Sequence, residues 1–337
     1  MLPLMTNEKM DVVNVVVMAP ILGRDLSYVR AAGPRVRVID ANEATSAEAD
    51  AALAAADVLL VGYPVPSVVA GRAPRLVWAH HTQAGVSNLH SSDLWTSGVT
   101  LTTSRGVMAA GAIAEYVVAG AAFFARGLHE GMRQKQAGML ASDAYRMSRL
   151  RGATMGVVGL GGIGREVARG ARGLGMRVLA TRRSATSPAR DTEGVDWLLP
   201  ADRLHEMAAE SDFLAVCAQL TAETTGMIDA GVFSVLRPGA VLINVARGEE
   251  VDEDALVEAL IRGDLRGAVL DVYDGELAGR PPRRELAELP NVLLTPHISA
   301  GGDHSRAEPI RRLFADNLRR FLRGEPLLNT VDRQRGY

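Results

Sequence analysis

Residues 12–18 form a mostly apolar run that fits a strand buried on both faces, and the more polar segment behind it predicts a helix over about 24–32. The alternation continues with a strand at 35–39, an Ala/Glu-rich helix around 44–55 and a strand at 58–61, followed by short β-type runs at 76–79 and 99–102. A long apolar helix is expected over about 108–126, and the polar, Met-rich, poorly periodic stretch 127–151 reads as an arm. Beyond it the pattern predicts strands at 154–158, 177–180, 213–218, 241–245, 267–272 and 292–295, with helices at 162–174, 200–209 and 253–261. A last helix over 306–322 carries its own apolar stripe and stops at Gly324, with Pro326 just beyond. Strands alternating with helices imply parallel sheets, so the expected fold class is α/β, with two Rossmann-like or flavodoxin-like parallel-sheet domains.

Composition narrows this picture without changing it. A chain of 337 residues exceeds the usual size of a single core, which favours two domains. With 47% hydrophobic and 23% charged residues it has the make-up of an ordinary globular protein, and a net charge of -2 gives no electrostatic reason to expect nucleic acid or an anionic membrane as partner. The lone Cys217 lies in an apolar run, cannot form an internal disulfide and is expected to be buried and reduced, which fits the cytoplasm. Residues 1–10 include Glu8 and lack a basic segment followed by an apolar core, so they do not read as a signal peptide. The stretch 107–125 is interrupted by Glu115 and rich in Ala and Gly, which favours a buried helix over a spanning one. No metal centre is expected.

Candidate chemistry begins at Gly159-Leu160-Gly161-Gly162-Ile163-Gly164, between an expected strand and an expected helix. In such a loop the first glycine permits a tight turn, the second lets backbone approach a pyrophosphate, and the third lets helix and strand pack closely; the phosphates then meet the helix N-terminus. The motif is weak alone, and its strand-loop-helix context gives it weight. The next strand should end in an acid where the ribose hydroxyl of NAD is read. Here it ends Thr181-Arg182-Arg183-Ser184. Arg pairs recur at Arg283-Arg284, Arg311-Arg312 and Arg319-Arg320, so the missing acid is the better clue, and it favours NADP(H), with NAD(H) as the alternative.

Arg247 follows the strand 241–245 and so falls at a carboxyl-end strand tip, where ligands bind in open α/β sheets. A guanidinium there can hold a substrate carboxylate and carbonyl through paired donors and stabilise a developing oxyanion. His297 follows another strand, and an imidazole is a natural proton donor near neutral pH. Glu276 can hydrogen-bond that imidazole and fix its orientation. Each residue alone has a bland reading, as a surface arginine or a structural histidine; the ordered set is more informative.

These residues, with Leu220-Thr221-Ala222-Glu223-Thr224, Pro238-Gly239-Ala240, Asn244-Val245-Ala246-Arg247-Gly248-Glu249, Leu270-Asp271-Val272-Tyr273 and Asn291-Val292-Leu293-Leu294-Thr295-Pro296-His297, make nearly the whole chain resemble the D-isomer-specific 2-hydroxyacid dehydrogenase family. The resemblance implies that Arg247, Glu276 and His297 are the catalytic Arg, Glu and His, and that Asp271 holds the nicotinamide carboxamide. It further implies that Ala218, Thr224 and Ala246 line the cofactor, and that the loop Thr82-Gln83-Ala84-Gly85-Val86 binds the substrate carboxylate through the backbone of Ala84 and Gly85. Tyr63 is a candidate for the same pocket, with simple packing as the alternative. Two departures stand out. Leu277 replaces the usual Pro after the catalytic Glu and a polar loop 278–284 follows, which leaves Asp274 as a fallback; the usual Pro near Ala218-Gln219 is also missing.

The resemblance also implies a discontinuous plan. Residues 1–107 and 300–337 would form the substrate domain and 108–299 the dinucleotide-binding domain, with hinges near Val107 and Ser299 whose closure excludes water. A homodimer built through the cofactor domain and the arm 127–151 is expected. The expected reaction is hydride transfer between a nicotinamide and a small 2-oxo acid or D-2-hydroxy acid. Two other readings keep the fold: a phosphite-type dehydrogenase, the formate type being disfavoured by Glu276, and a dinucleotide-sensing corepressor, disfavoured by the lack of a basic patch. Trp78 reads as a packed aromatic, and His80 and His81 as ordinary surface or core histidines.

Overall fold

The computed structural model describes residues 12–107, 110–301, 307–334 and 336; the segment that bears on a signal peptide therefore lies outside the described residues. The chain divides into two compact units, Met1–Met108 with Asp303–Tyr337, and Ala109–Gly302.

The first unit opens with β1 (Val13–Met18), α1 (Ser27–Arg30), β2 (Val36–Asp40), α2 (Ser46–Ala55), β3 (Val58–Val61), β4 (Trp78–His81) and β5 (Thr100–Thr103). Its sheet is parallel throughout in the order β2-β1-β3-β4-β5, the doubly wound flavodoxin arrangement. Thr45 starts α2 with a reciprocal capping box to Glu48, satisfying two free backbone donors at once. Where a helix over 24–32 was expected, α1 is a single turn. Asp25 Oδ1 accepts the Ser27 N–H at 2.9 Å ahead of it, and Gly33-Pro34 follows closely, so both ends are cut short.

The second unit contains α3 (Ala110–Ala125), α4 (Leu128–Gln136), β6 (Thr154–Val158), α5 (Gly162–Gly173), β7 (Arg177–Arg182), β8 (Ala189–Thr192), β9 (Val195–Pro200), α6 (Leu204–Ala209), β10 (Phe213–Val216), α7 (Ala230–Val235), β11 (Ala240–Asn244), α8 (Glu253–Arg262), β12 (Leu265–Leu270), α9 (Arg284–Glu288) and β13 (Val292–Leu294). The strand order is β13-β12-β11-β10-β6-β7-β9-β8, parallel except for β8, which runs antiparallel to β9. Val157, Ala180, Ala215 and Ile243 meet α3 and α5 on one face, while Leu179, Leu214, Leu242 and Ala268 meet α6, α7 and α8 on the other. The near-continuous apolar strands are what burial on both faces requires.

The chain then returns to the first unit as α10 (Ala307–Leu322), which sets Ile310, Phe314, Leu318 and Phe321 beside Trp78 and Leu60. The rings of Trp78 and Phe314 stack 5.3 Å apart. His80 is buried beneath them between the Thr102 and Ser104 hydroxyls, and burial pushes its pKa down to about 3.

The arm and the edge of the second sheet also depart from the sequence expectation. The arm 127–151 contains α4, which begins after the left-handed Gly127 and has Glu130 near its start and Arg133 and Lys135 near its end, the favourable sense for the helix dipole. Its apolar residues Leu128 and Met132 are exposed, so it shows no buried stripe. The β8–β9 hairpin fills a stretch left unassigned, because β8 is polar and sits at the sheet edge. No single helix among the described residues is long and apolar enough to cross a membrane; the apolar pair α3 and α4 is bent by 67°, and α3 buries Val117, Ala121 and Phe124.

Candidate active site

The carboxyl ends of β6 and β10 flank the point where strand order reverses, and the glycine loop lies there. Gly159 has φ +96, and a Cβ on it would come within 2.8 Å of the Ala218 backbone. A Cβ on Gly164 would stand 2.2 Å from the Gly159 carbonyl oxygen, so the third glycine is what lets α5 start against the strand. Gly161 faces open space and Gly161 and Gly162 are exposed, which leaves the first turn of α5 accessible to a pyrophosphate. Thr181, buried at the end of β7, accepts the N–H groups of Gly159 and Leu160 on its carbonyl and so ties the loop to the neighbouring strand. These features fit a dinucleotide. Ile163 is half-buried behind the loop, and Thr224 uses its hydroxyl to hold the loop at Gln219 and Thr221. At the tip of β7, Arg182 is half-buried and pairs with Glu193, while Arg183 and Ser184 are exposed.

His297 and Arg247 occupy the same carboxyl edge, one after β13 and the other after β11, separated only by β12. At the usual strand spacing their backbones lie about 10 Å apart. His297 Nδ1 is 2.9 Å from Glu276 Oε1, so Glu276 rather than Asp274 partners the imidazole. Asp274 instead pairs with Arg280 at 3.1 Å and gives its N–H to Glu253. His297 has φ +54, a conformation rare for a non-glycine residue and one that must be enforced by its surroundings. The enforcement comes from Asp271. Buried completely, its carboxylate accepts the Ile298 and Ser299 N–H groups at 2.7 and 2.8 Å and the Thr295 hydroxyl at 2.7 Å, while its carbonyl accepts the His297 N–H. Tyr116 adds a 2.5 Å bond to the Thr295 hydroxyl.

Arg247 is half-buried in extended backbone, with Nη1 donating to the Ala246 carbonyl at 2.6 Å. Its backbone is held at both ends, since Asn244 Nδ2 donates to its carbonyl and Glu250 Oε2 accepts its N–H. Ala246 is buried and gives its N–H to Asn244. Gly248 is required here: a Cβ would fall 1.9 Å from the Tyr273 carbonyl carbon, in the loop that leads from β12 to Glu276. Burial pushes Glu250 up to about 7 despite the nearby Arg247. Glu250 was not among the residues singled out from sequence; its signal was the Arg-x-x-Glu spacing ahead of Asp252, a helix-start pattern.

In the first unit, Ala84 and Gly85 are half-buried and Tyr63 is 61% exposed. Among the described residues no acceptor takes the N–H groups of Ala84, Gly85 or Val86, while the adjoining Gln83 carbonyl is held by the Ser104 N–H. Backbone amides left free in this way have donor capacity for an anion. Cys217 is half-buried, and burial pushes its thiol up to about 12. Among the described residues no group of three or more His, Cys, Asp or Glu side chains is placed to hold a metal ion. A crevice of about 310 Å³ lined by Ser148, Arg149, Asp212, Pro238 and Arg266 lies at the opposite, amino-terminal edge of the sheet, away from these residues.

Comparison with known proteins accounts for this arrangement. Residues 102–299 match the family model of the D-isomer specific 2-hydroxyacid dehydrogenase NAD binding domain. A glyoxylate reductase of Pyrococcus furiosus is 33% identical over 280 residues, covering 80% of this chain and 79% of its own. An NADPH-dependent glyoxylate/hydroxypyruvate reductase from Sinorhizobium meliloti, solved with NADP and sulfate, superposes with a TM-score of 0.79 at 27% identity over 96% of this chain and all of its own. A D-isomer specific 2-hydroxyacid dehydrogenase from Xanthobacter autotrophicus, solved with NADPH and MES, gives 0.77 at 27% identity over 97% and 100%. The chain therefore belongs to the D-isomer specific 2-hydroxyacid dehydrogenase family, nicotinamide-dependent oxidoreductases that interconvert small 2-oxo and 2-hydroxy acids.

Proposed function

We propose that this enzyme reduces a small 2-oxo acid to the D-2-hydroxy acid, with NADP(H) favoured over NAD(H). The observation that carries the proposal is the 2.9 Å bond between His297 and Glu276 on the strand edge that also bears Arg247. Arg247 holds the substrate carboxylate and the carbonyl oxygen, where its donors stabilise the charge that develops on that oxygen. His297 gives the oxygen its proton from Nε2, because Nδ1 faces Glu276; Glu276 thereby fixes both the tautomer and the ring orientation. When bound, a nicotinamide would supply the hydride, or accept it in the reverse direction. We assign the first unit as the substrate domain, with the backbone amides of Ala84 and Gly85 as its carboxylate-binding groups. The second unit holds the dinucleotide through the glycine loop and through Ala218, Thr224 and Ala246, while Asp271, buried and spent on the turn 295–299, acts by positioning His297.

The absent acid at the tip of β7, with Arg182 and Arg183 in its place, supports NADP(H), and the Sinorhizobium relative is described as NADPH-dependent. The exposed Leu128, Met132, Met139, Leu140 and Met147 of the arm support a homodimer, which sedimentation at micromolar concentration would measure. The reduced cytoplasm is the compartment proposed for a chain with one, half-buried cysteine. Glyoxylate and hydroxypyruvate, named for the relatives, head the panel of 2-oxo acids to assay with both nicotinamides. His297→Ala should lower kcat by about 10²- to 10⁴-fold with cofactor affinity nearly unchanged. An unchanged rate would refute the proton-donor role, and a KM about tenfold lower for NADH than for NADPH would refute the cofactor preference.

A further inference from the structure

The tip of β7 carries an anion as well as cations. Glu193 sits in the β8–β9 turn, and a single oxygen of its carboxylate, Oε2, lies 2.6 Å from Arg182 Nη1 and 2.6 Å from Arg165 Nη2. Arg182 ends β7 and Arg165 belongs to the first turn of α5, three residues past Gly162. Strand tip, helix start and hairpin are thus joined by one cation-anion-cation cluster, at the position where the ribose next to the adenine is read in a dinucleotide fold. The side chains of Arg182 and Glu193 are 27% and 28% exposed, so the cluster is within reach of a ligand but only partly screened.

The backbone argues that Glu193 is there for its side chain. Thr192 pairs with Val195 across the turn, and Glu193 and Gly194 have φ +51 and +80, the pattern of a type I′ turn that favours Asn, Asp or Gly at its first central position. Glutamate has no such preference, and its left-handed backbone is tolerated only because the hairpin imposes it. Hydrogen bonds from Arg182 and Arg165 hold the carboxyl below the usual carboxylate range and so favour its charged form. Arg182 Nε is buried with no acceptor among the described residues, leaving that guanidinium with unused donor capacity.

We propose that Glu193 is a specificity-determining residue that stands in for a 2′-phosphate: its carboxylate occupies Arg182 and Arg165 in the free protein, and a 2′-phosphate must displace it whereas a 2′-hydroxyl leaves it in place. This rests on the reading of Arg182 as the partner of a 2′-phosphate. The like charges oppose one another, so Glu193 narrows the preference for NADP(H) that the arginines alone would give.

The test uses ligand fragments and the whole enzyme, read by calorimetry. Glu193→Asn keeps a residue suited to the turn and removes the charge. It should bind adenosine 2′,5′-bisphosphate about 3- to 10-fold more tightly than wild type, with affinity for adenosine 5′-monophosphate changed by less than about twofold. Glu193→Gln, which keeps the side-chain length, should act in the same direction. Arg182→Gln should weaken the bisphosphate by about tenfold or more and spare the monophosphate. If Arg182→Gln weakens the bisphosphate but both Glu193 variants leave it unchanged or weaker, Glu193 only props the arginine and the inference falls while the cofactor reading stands. If wild type binds both fragments equally and Arg182→Gln changes neither, the NADP(H) reading itself is wrong.

Discussion

The two strand ends that bear the candidate chemistry are finished to different degrees. After β13, Asp271 and Tyr116 saturate the turn that presents His297, and Glu276 holds the ring itself. After β11, Arg247 Nε and Glu250 Oε1 are both buried with no partner among the described residues. A buried polar group left unpaired costs about 1–3 kcal/mol, so the first end is stabilised by its own bonds and the second carries a deficit. The proposed proton donor is set in place by the protein, whereas the proposed anion holder keeps unused donor capacity. That difference is consistent with their proposed roles, because a proton donor must be oriented before reaction while a carboxylate clamp acts through binding.

The sharpest way to break the comparison is at Arg247. Arg247→Gln should lower kcat/KM for the best 2-oxo acid by about 10²- to 10³-fold, and Arg247→Lys should recover only part of it because an ammonium lacks the paired donors. Stability in urea should fall by no more than about 1–3 kcal/mol, since the substitution removes the Nη1 bond to the Ala246 carbonyl but also an unpaired buried donor. Loss of stability together with intact turnover would mean that Arg247 is a structural residue and that the two ends do not differ as argued.

Glu250 sharpens the same contrast through pH. Burial pushes its carboxyl up to about 7 from the ordinary 4.5, so between these values the folded state binds more protons than the unfolded one. Stability must then fall as pH rises through that window and level off above about 7, a loss on the order of 3 kcal/mol if the carboxylate is not otherwise compensated. Glu250→Gln should remove this part of the pH dependence. Urea unfolding of both proteins at pH 5 and pH 8 measures it, and parallel curves would show that Arg247 and its surroundings already neutralise the buried charge.

Much of this organisation is legible in sequence because it rests on local rules. The apolar runs of β1, β3, β6, β10 and β11 and the spacing of the glycine loop follow from burial on two faces and from close approach, both readable from neighbours in the chain. Arg247, Glu276 and His297 stand out because each trails a strand. What stayed hidden depends on distant partners. The hold of Asp271 on the His297 turn spans 27 residues, and no local pattern separates that from a cofactor contact. Helix α4 escaped because its apolar side chains face outward, and Glu193 escaped because β8 is a polar edge strand and the turn pair Glu193-Gly194 lacks the Asn or Asp that marks a two-residue hairpin. Glu250 looked like any acidic residue near a helix start until burial was known.

The smallest expected effect tests the finished end. Glu276 touches no reacting atom in the proposed mechanism; it acts through His297 Nδ1, so removing its charge while keeping an acceptor should weaken one bond rather than abolish chemistry. A charge-assisted hydrogen bond is about twice as strong as a neutral one, and Glu276→Gln should therefore slow kcat by about tenfold, near 1.4 kcal/mol, with KM for the nicotinamide unchanged. Because the carboxylate works only by placing the imidazole, its loss can never exceed that of His297→Ala, and in the His297→Ala background Glu276→Gln should cost nothing further. Additive losses in that double variant would mean that Glu276 has its own contact with substrate or cofactor, and the His297 turn would then be no more complete without ligand than Arg247 is.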